Sequence, residues 1–374
     1  MTDKQDVTWM QLAAEFAARG VGLVEPNPPV GCVIVRDDTL IASGYHQRFG
    51  GPHAEIVALQ STTENVAGTT VYVTLEPCSH FGKTPPCADE LIRRQVGRVV
   101  VAIPDPHAMV NGQGLAKLRE AGVKVDVGVG RESALITLRP YLKRIATGVP
   151  WVIAKWAMSL DGKIATPQGE SRWLTSDAAR QSVHELRGRM DAIMTGIGTV
   201  LADDPLLTAR PAGPRRAVRV VVDSLARLPL NSQLVASART EPVLVAVSQS
   251  APVERITALR EAGCEVWIGT PDDADQRILE LLRLLADRQM TNVLVESGGT
   301  LLACFQRLGQ IDEIRAHLAP RLLGGQQAPT PVEGEGIRRL ADAGKYRIEA
   351  IRPLGNDVEI TAVNTSLTFL QERD

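Results

Sequence analysis

Aromatic residues make up only 4% of this 374-residue sequence. That is too few for the row of stacking platforms on which single-stranded nucleic acid is held. Net charge is equally slight: 41 Lys and Arg stand against 43 Asp and Glu, leaving −2 at neutral pH. With no long basic run, the electrostatic footprint of a nucleic-acid binder is missing, and a small-molecule substrate is the expectation. No stretch reaches the ~18 apolar residues of a membrane span, and the opening residues Met1–Met10 lack the apolar core of a signal peptide. The sequence therefore reads as cytoplasmic, with no membrane partner. Cysteine is rare, five in all, an odd number. Cys32, Cys264 and Cys304 lie far apart among apolar neighbours and read as small core residues in a reducing compartment. Neither a Walker motif nor a complete Gly-x-Gly-x-x-Gly occurs, since Gly196-Ile197-Gly198 lacks the third glycine.

What is present is ordinary globular composition, 44% hydrophobic and 22% charged. The length exceeds the ~250–300 residues at which single cores stop growing, so two domains are the default.

The two remaining cysteines, Cys78 and Cys87, gain meaning beside His53-Ala54-Glu55. One imidazole and two thiolates are ligands zinc prefers, and three protein ligands leave a coordination position open for water. Zinc deaminases pair His-x-Glu with Pro-Cys-x-x-Cys, the Glu shuttling protons without binding metal. Here the residues Ser79 to Pro86 separate the cysteines, a longer gap than that motif's two. Pro85-Pro86 and Gly50-Gly51-Pro52 favour helix starts at Cys87 and just after His53. Both ligand groups then sit at helix N-termini, where the dipole favours thiolate and hydroxide. Zinc lowers the pKa of bound water to ~7, and Glu55 takes its proton and passes it to the ring nitrogen and the departing ammonia. A structural zinc would need a fourth ligand, for which His80 is the nearby candidate; a redox cysteine pair is the other bland reading.

Along the chain, Trp9, Leu12, Ala13, Phe16 and Ala17 predict an amphipathic helix capped by Thr8 and stopped by Gly20. Val30–Val35 and Leu40–His46 predict strands joined through Asp37-Asp38. Helices from Ala54, from Cys87 to Gln95, after Gly114 and from Arg131 to Arg144 alternate with strands Thr70–Leu75, Val99–Ile103 and Val123–Val127. Thr147-Gly148-Val149-Pro150 interrupts the pattern, placing domains at 1–149 and 150–374. The second half resumes with strands at Trp151–Met158, Ala192–Thr195, Arg219–Asp223, Val243–Val247, Val266–Ile268 and Asn292–Val295. Helices are predicted at Ser176–Arg189, Val253–Ala262, Ala274–Arg288 and from about Leu301. Such alternation predicts sheets with helices on both faces. The tail, Glu313–Leu318, Tyr346–Arg352 and Val358–Val363, predicts antiparallel strands.

Glu296-Ser297-Gly298-Gly299-Thr300 lies at a strand-to-helix turn, where glycines let backbone N–H groups approach a phosphate, Gly298 with a need for positive φ. Two glycines in a turn are more often only a turn.

Asn27-Pro28-Pro29-Val30-Gly31, His53-Ala54-Glu55, the run from Pro77-Cys78 to Cys87, Asp105-Pro106 and Asn111-Gly112-Gln113-Gly114 together resemble the bifunctional riboflavin-biosynthesis deaminase/reductases. The long insert between the cysteines is that family's own form. One departure is His107-Ala108, where the family commonly carries Asn-Pro. The resemblance implies a cytidine-deaminase-like three-layer α/β/α domain followed by a dihydrofolate-reductase-like α/β domain. It implies hydrolytic deamination of a diamino(phosphoribosylamino)pyrimidinone, then NADPH-dependent reduction of its ribosyl group to ribityl, in a homo-oligomer holding one zinc per chain. Asn27, His46, Lys83 and Asn111 would face the pyrimidine or its ribose phosphate; a Lys83 cation suits a phosphorylated substrate. Thr199, Asp203 to Thr208, Arg210 and Ser171-Arg172-Trp173 match the reductase pattern. By that resemblance Ala157, Trp173, Thr199, Asp203, Ser224 and the turn Gly298, Gly299, Thr300, Leu301, Leu302, Ala303 and Cys304 contact NADPH. Ser171, Arg187, Leu207, Arg210 and Glu296 hold the substrate. Read singly, Trp173 is a core residue and Arg187 a solvated helix face. Arg210, Arg215, Arg216 and Arg219 form a basic cluster, normally a solvated loop, for which two anionic ligands would give work.

Two rival readings remain. A nucleoside or RNA deaminase with an appended non-reductase domain predicts a basic groove or aromatic platform. A non-catalytic zinc scaffold gives no reason for Glu55 or for the Gly298-Gly299 turn.

Overall fold

The computed structural model describes residues 3–79, 86–108, 110–270 and 272–370, and the chain divides into two units, Met1–Gly148 and Val149–Gln371. In the first, α1 (Asp3–Ala18) precedes a hairpin of β1 (Gly31–Arg36) and β2 (Thr39–Tyr45). There follow α2 (Ala54–Gln60), β3 (Thr70–Val73), α3 (Cys87–Arg93), β4 (Arg98–Val101), α4 (Gln113–Glu120), β5 (Lys124–Val127) and α5 (Arg131–Thr147). The sheet runs β2-β1-β3-β4-β5; β1 is antiparallel to both neighbours and β3, β4 and β5 are parallel. Asp37 and Asp38 both take positive φ at the hairpin, as a tight turn between twisted strands demands.

Because successive strand side chains point to opposite faces, Cys32, Ile34, Val71, Val73, Val99 and Val101 form one core with α2, α3 and α4. The other face lies against α1, with α5 packed beside it. Two glycines set these distances: a Cβ on Gly31 would strike the backbone of Ala13 and Ala17 in α1, and one on Gly44 the backbone of Ala54 and Ala58 in α2. The first turn of α2 is thereby pressed onto β2, in a three-layer cytidine-deaminase-like arrangement. Thr8 does not cap α1. The helix starts five residues earlier, at Asp3, and the Thr8 hydroxyl donates to the Lys4 carbonyl at 3.1 Å.

The second unit is dihydrofolate-reductase-like. It opens with β6 (Trp151–Ser159), α6 (Asp177–Arg187), β7 (Ala192–Gly196), α7 (Ile197–Asp203), β8 (Val218–Val222) and α8 (Gln233–Ala236). It continues with β9 (Val243–Ser248), α9 (Val253–Glu261), β10 (Glu265–Gly269), α10 (Ala274–Asp287), β11 (Asn292–Glu296) and α11 (Gly299–Arg307). It closes with β12 (Glu313–Ala319), β13 (Tyr346–Leu354) and β14 (Asp357–Asn364). Sheet order is β10-β9-β8-β7-β11-β6-β12-β14-β13. The strands are parallel from β10 to β12, and β14 and β13 complete the sheet antiparallel. Trp151, Ile153, Ile193, Val221 and Val245 pack with α9 on one face. Val152, Ala154, Met194, Val220 and Leu244 pack with α10 and α11 on the other. Sequence periodicity does not announce α7 or α8, of seven and four residues, because neither completes a repeating apolar stripe.

Candidate active sites

In the first unit the N-cap of α2 is His53, in extended backbone, and the residue opening α3 is Cys87, behind Pro86. The chain leaving β3 brings Cys78 between them, and its Sγ accepts the Cys87 backbone N–H at 3.3 Å. Nδ1 of His53 lies 3.5 Å from the Cys78 sulfur and 3.3 Å from that of Cys87. The three ligand atoms all lie within 4.8 Å of one another. Hydrogen bonding from the Cys87 thiol, chiefly, pulls the Cys78 thiol down to about 4, while the same contact and burial push Cys87 up. A divalent cation is the chemistry that lets both sulfurs ionise.

Glu55 sits in the first turn of α2, 3% exposed. Its Oε2 has no hydrogen-bond partner among the described residues. Burial pushes its carboxyl up to about 7, against the opposing pull of His53. A buried carboxylate oxygen left unpaired is costly, and one placed beside three N and S donors fits a metal-activated water. The donor set and the orphan oxygen thus fit zinc.

Of the other predicted residues, His46 is edge-on to His53, ring centroids 5.5 Å apart. Its Nδ1 donates to the Pro52 carbonyl at 2.8 Å, which leaves Nε2 to accept from the Asn27 amide at 3.2 Å. Burial lowers its pKa, so the neutral ring is favoured. Asn111 is exposed at a φ of 32°, in a loop tied down by a residue that sequence reasoning missed. Glu76, buried, accepts backbone N–H groups of Asp105, Gly112, Gly114 and Leu115 at 2.9–3.3 Å. A glutamate directly ahead of Pro77-Cys78 was the available signal. Lys83 and His80 lie outside the described residues.

In the second unit two cavities open at the C-terminal ends of the strands, the usual ligand position in open parallel sheets. Ser171, Arg187, Leu207, Arg210 and Glu296 all line the larger, of about 680 Å³. Thr199, Ser224, Gly298, Gly299, Thr300, Leu301, Ala303 and Cys304 line the other, of about 570 Å³. Ala157, Trp173 and Asp203, expected with the cofactor set, line the larger cavity instead. Leu302 turns into the core, fully buried. Ile164 lines both.

Arg187 is buried rather than solvated, gripping Glu296 through Nε at 2.6 Å and Nη2 at 2.9 Å. Burial alone would raise the Glu296 pKa, but Arg187 and Lys155 turn the shift downward. Trp173 is not core: it is 62% exposed, with the Arg180 guanidinium 4.4 Å from its ring centre. In the basic cluster only Arg210 lines the larger cavity. Arg215 pairs with Asp191, Arg216 with Glu241 at 2.8 Å, and buried Arg219 donates to the Leu206 carbonyl and the Ser237 hydroxyl. Sequence reading missed Lys155, whose pKa burial lowers, and His184, which donates to the Thr208 carbonyl at 3.2 Å; both line the larger cavity. Lys155 was detectable as the one charge inside an apolar strand.

Gly298 corrects another expectation. Its φ is −70°, its N–H donates to Thr199 Oγ1 at 3.1 Å, and a Cβ there would meet only that oxygen, at 3.9 Å. The crowded position is Gly299, where a Cβ would meet the Glu333 side chain and, at 2.7 Å, the Thr330 carbonyl.

Residues 150–360 match the family described as RibD C-terminal domain. Residues 3–103 match the cytidine and deoxycytidylate deaminase zinc-binding region. The chain is 39% identical over 353 residues to the riboflavin biosynthesis protein RibD of Actinobacillus pleuropneumoniae, covering 94% of each. It is 39% identical to the RibD of Escherichia coli K12, covering 95% of this chain and 98% of that one. Among solved structures, Acinetobacter baumannii RibD superposes with a TM-score of 0.83 at 39% identity, over 97% of this chain and 100% of that one. A Thermotoga maritima deaminase/reductase follows at 0.82 and 32%, over 97% and 99%.

Proposed function

From the premise that the chain belongs to the RibD family of riboflavin-biosynthesis enzymes, deaminase and reductase in one polypeptide, we propose the reactions of each half. Residues 1–149 hydrolyse an amino group from a diamino(phosphoribosylamino)pyrimidinone, and residues 150–374 then reduce its ribosyl group to ribityl. The observation that carries the first step is the buried, unpartnered oxygen of Glu55 beside His53, Cys78 and Cys87.

His53, Cys78 and Cys87 hold one zinc per chain, which supplies the Lewis acidity that makes water a nucleophile near neutral pH. Glu55 takes the proton of that water and carries it to the ring nitrogen and the leaving ammonia; a carboxyl near neutrality serves in both directions. Asn27 and neutral His46 orient the ring, Asn111 closes over it, and Lys83 meets the phosphate. In the second unit NADPH supplies the hydride, lying against Thr199, Ser224 and the turn from Gly298 to Cys304. Ala157, Trp173 and Asp203, which line the adjoining cavity, would complete its contacts. Ser171, Leu207, Arg210 and the Arg187–Glu296 pair fix the sugar phosphate. Lys155 lies among them as an ammonium of lowered pKa, able to give a proton to an oxygen.

The enzyme works in the cytoplasm as a homo-oligomer. No helix among the described residues is long and apolar enough to cross a membrane. What supports the homo-oligomer is the edge strand β13, which leaves Ile348 and Ile351 exposed. One assay tests the whole: purified protein given the diamino substrate releases ammonia without NADPH, and oxidises NADPH only after ammonia appears. NADPH oxidation in the absence of ammonia release would sink the order of steps, and neither signal would sink the reading.

A further inference from the structure

We propose that Glu359, which lines neither cavity, is a positioning residue for the reduction step: its negative charge, two strands from Lys155, keeps that ammonium ready to give its proton. This rests on the reading of Lys155 above and names the group behind it. On that reading the ribosyl carbon gains the hydride of NADPH, its bond to the ring oxygen breaks, and the oxygen takes the Lys155 proton, which solvent restores. The lysine must therefore be charged when substrate arrives.

Strand register carries the geometry. Lys155 of β6 stands opposite Glu296 of β11 on one side and Arg315 of β12 on the other. Two residues along on the same face, Ala157 stands opposite His317, and His317 opposite Glu359 of β14. Lys155 and Ala157 line the larger cavity, so its wall runs on into this charged face. Helix α6 bridges the two ends: Arg187 grips Glu296, and Ser182 donates to Glu359 Oε2 at 3.1 Å. Lys155 lies between two carboxylates.

The pairing of charges decides which of them is free to act on it. Glu296 has both oxygens on Arg187. Arg315 faces Lys155 across the strands, but Glu313 answers its charge at 2.5 Å, and it reaches Glu359 only at 3.5 Å. The Glu359 carboxylate, itself 6% exposed, is left with Arg352, which is 53% exposed and screened by water. Its remaining neighbour is His317, which donates through Nε2 and whose Nδ1 has no hydrogen-bond partner among the described residues. Burial lowers the Lys155 pKa and Arg187 adds to that, while Glu296 and Glu359 pull it back up. The other charged groups of the cavity bond elsewhere: His184 and Arg210 to Thr208, Arg172 to Asp203, Arg180 to the Thr175 carbonyl, and Asp204 to the Gln233 N–H. His184, held down chiefly by burial, changes charge on the acid side and leaves the alkaline side to Lys155.

The test reads Lys155 directly. In the full chain carrying isotope-labelled lysine, without NADPH or substrate, its side-chain resonance is the one missing from Lys155→Met, and that resonance is titrated. Glu359→Gln keeps the shape, removes the charge and moves the midpoint to lower pH by about half to one pH unit. Glu359→Asp returns most of that shift. Arg352→Ala, at an exposed position, takes away an opposing cation and moves the midpoint upward, by less, so the outcome does not hang on how well the Gln protein folds. Single-turnover NADPH oxidation on already deaminated substrate gives the second reading. Its rate constant falls along an alkaline limb that Lys155→Met lacks, and Glu359→Gln shifts that limb with the midpoint, a loss of about three- to tenfold above it. Misfolded protein lowers the amplitude and leaves the limb in place. A midpoint unmoved in folded Glu359→Gln, or in Arg352→Ala, makes Glu359 a structural tie and overturns the proposal. A midpoint that moves while the limb stays, or a wild type without a limb, sinks Lys155 as the proton donor and the proposal with it.

Discussion

Glu55 and Glu296 are both buried glutamates at the centre of a candidate site, one in each unit, and their surroundings are opposite. Glu55 keeps an oxygen with no partner among the described residues and is pushed up toward neutrality by burial. Glu296 is forked by Arg187 and held ionised in spite of burial. A carboxylate meant to carry protons must be left unsatisfied, whereas one meant to hold an anionic ligand's neighbour in place must not. The same contrast runs through the architecture. The first site gathers three donor atoms from two helix starts and the loop after β3, and the second spreads along the ends of six strands.

That contrast breaks first at the metal. Cys78→Ser should drop zinc from about one per chain to near none and deamination to background, while reduction of already deaminated substrate continues. Full metal content in that variant would mean other ligands hold it. Next, Glu55→Gln should retain zinc and lose about 10²–10⁴-fold in ammonia release, since an amide cannot shuttle protons. Deamination at nearly the wild-type rate would return the orphan oxygen to a structural curiosity. Glu296→Gln asks the reverse question. Leaving Arg187 without its partner should destabilise the second unit by about 3 kcal/mol, the lower end for a broken buried pair because this one edges a cavity. Chemical denaturation followed by Trp fluorescence reads it, and an unchanged midpoint would show the pair to be solvated.

A third buried glutamate sharpens the comparison away from either site. Glu359 is bound by His317 at 3.0 Å, Ser182 at 3.1 Å, Arg352 at 3.1 Å and Arg315 at 3.5 Å, and the His317 contact above all holds its carboxyl down at about 2. Its folded pKa lies below the unfolded value, so its contribution is present above about pH 4.5 and lost as pH falls toward 2. Complete loss amounts to about 3 kcal/mol. Glu359→Gln should flatten that acid limb in denaturation titrations of the second unit; an unaltered limb would assign it to other carboxylates.

The legible part of this molecule was the local part. His53, Cys78 and Cys87, with Glu55 beside them, announce themselves because a metal's donors must be specific residue types, here next to prolines and glycines that mark the turns holding them. Strands showed as apolar runs, since parallel strands covered on both faces have no polar side to reveal. What stayed hidden depends on distant neighbours. Nothing in residues 187 and 296 says that β11 inserts between β7 and β6, which is what turns a helix arginine inward onto a strand glutamate. Trp173 could not be placed from its type, because a cavity rim with an arginine over the ring satisfies an indole as well as a core does. Gly298 and Gly299 are indistinguishable in sequence, and only the Glu333 and Thr330 contacts tell which of them lacks room.

Glu76 grips main-chain N–H groups from Asp105 to Leu115, and Asp105 in turn accepts the His107 N–H at 2.9 Å and the Tyr141 hydroxyl at 2.9 Å. The path of that loop is thus specified by atoms every residue except proline possesses. His107-Ala108, which stands here in place of Asn-Pro, lies in this loop, and Asp105 holds it through the His107 main-chain N–H. For a laboratory seeking altered pyrimidine preference, these two positions form a ready window for randomisation, with Glu76 and Asp105 as the fixed frame around it.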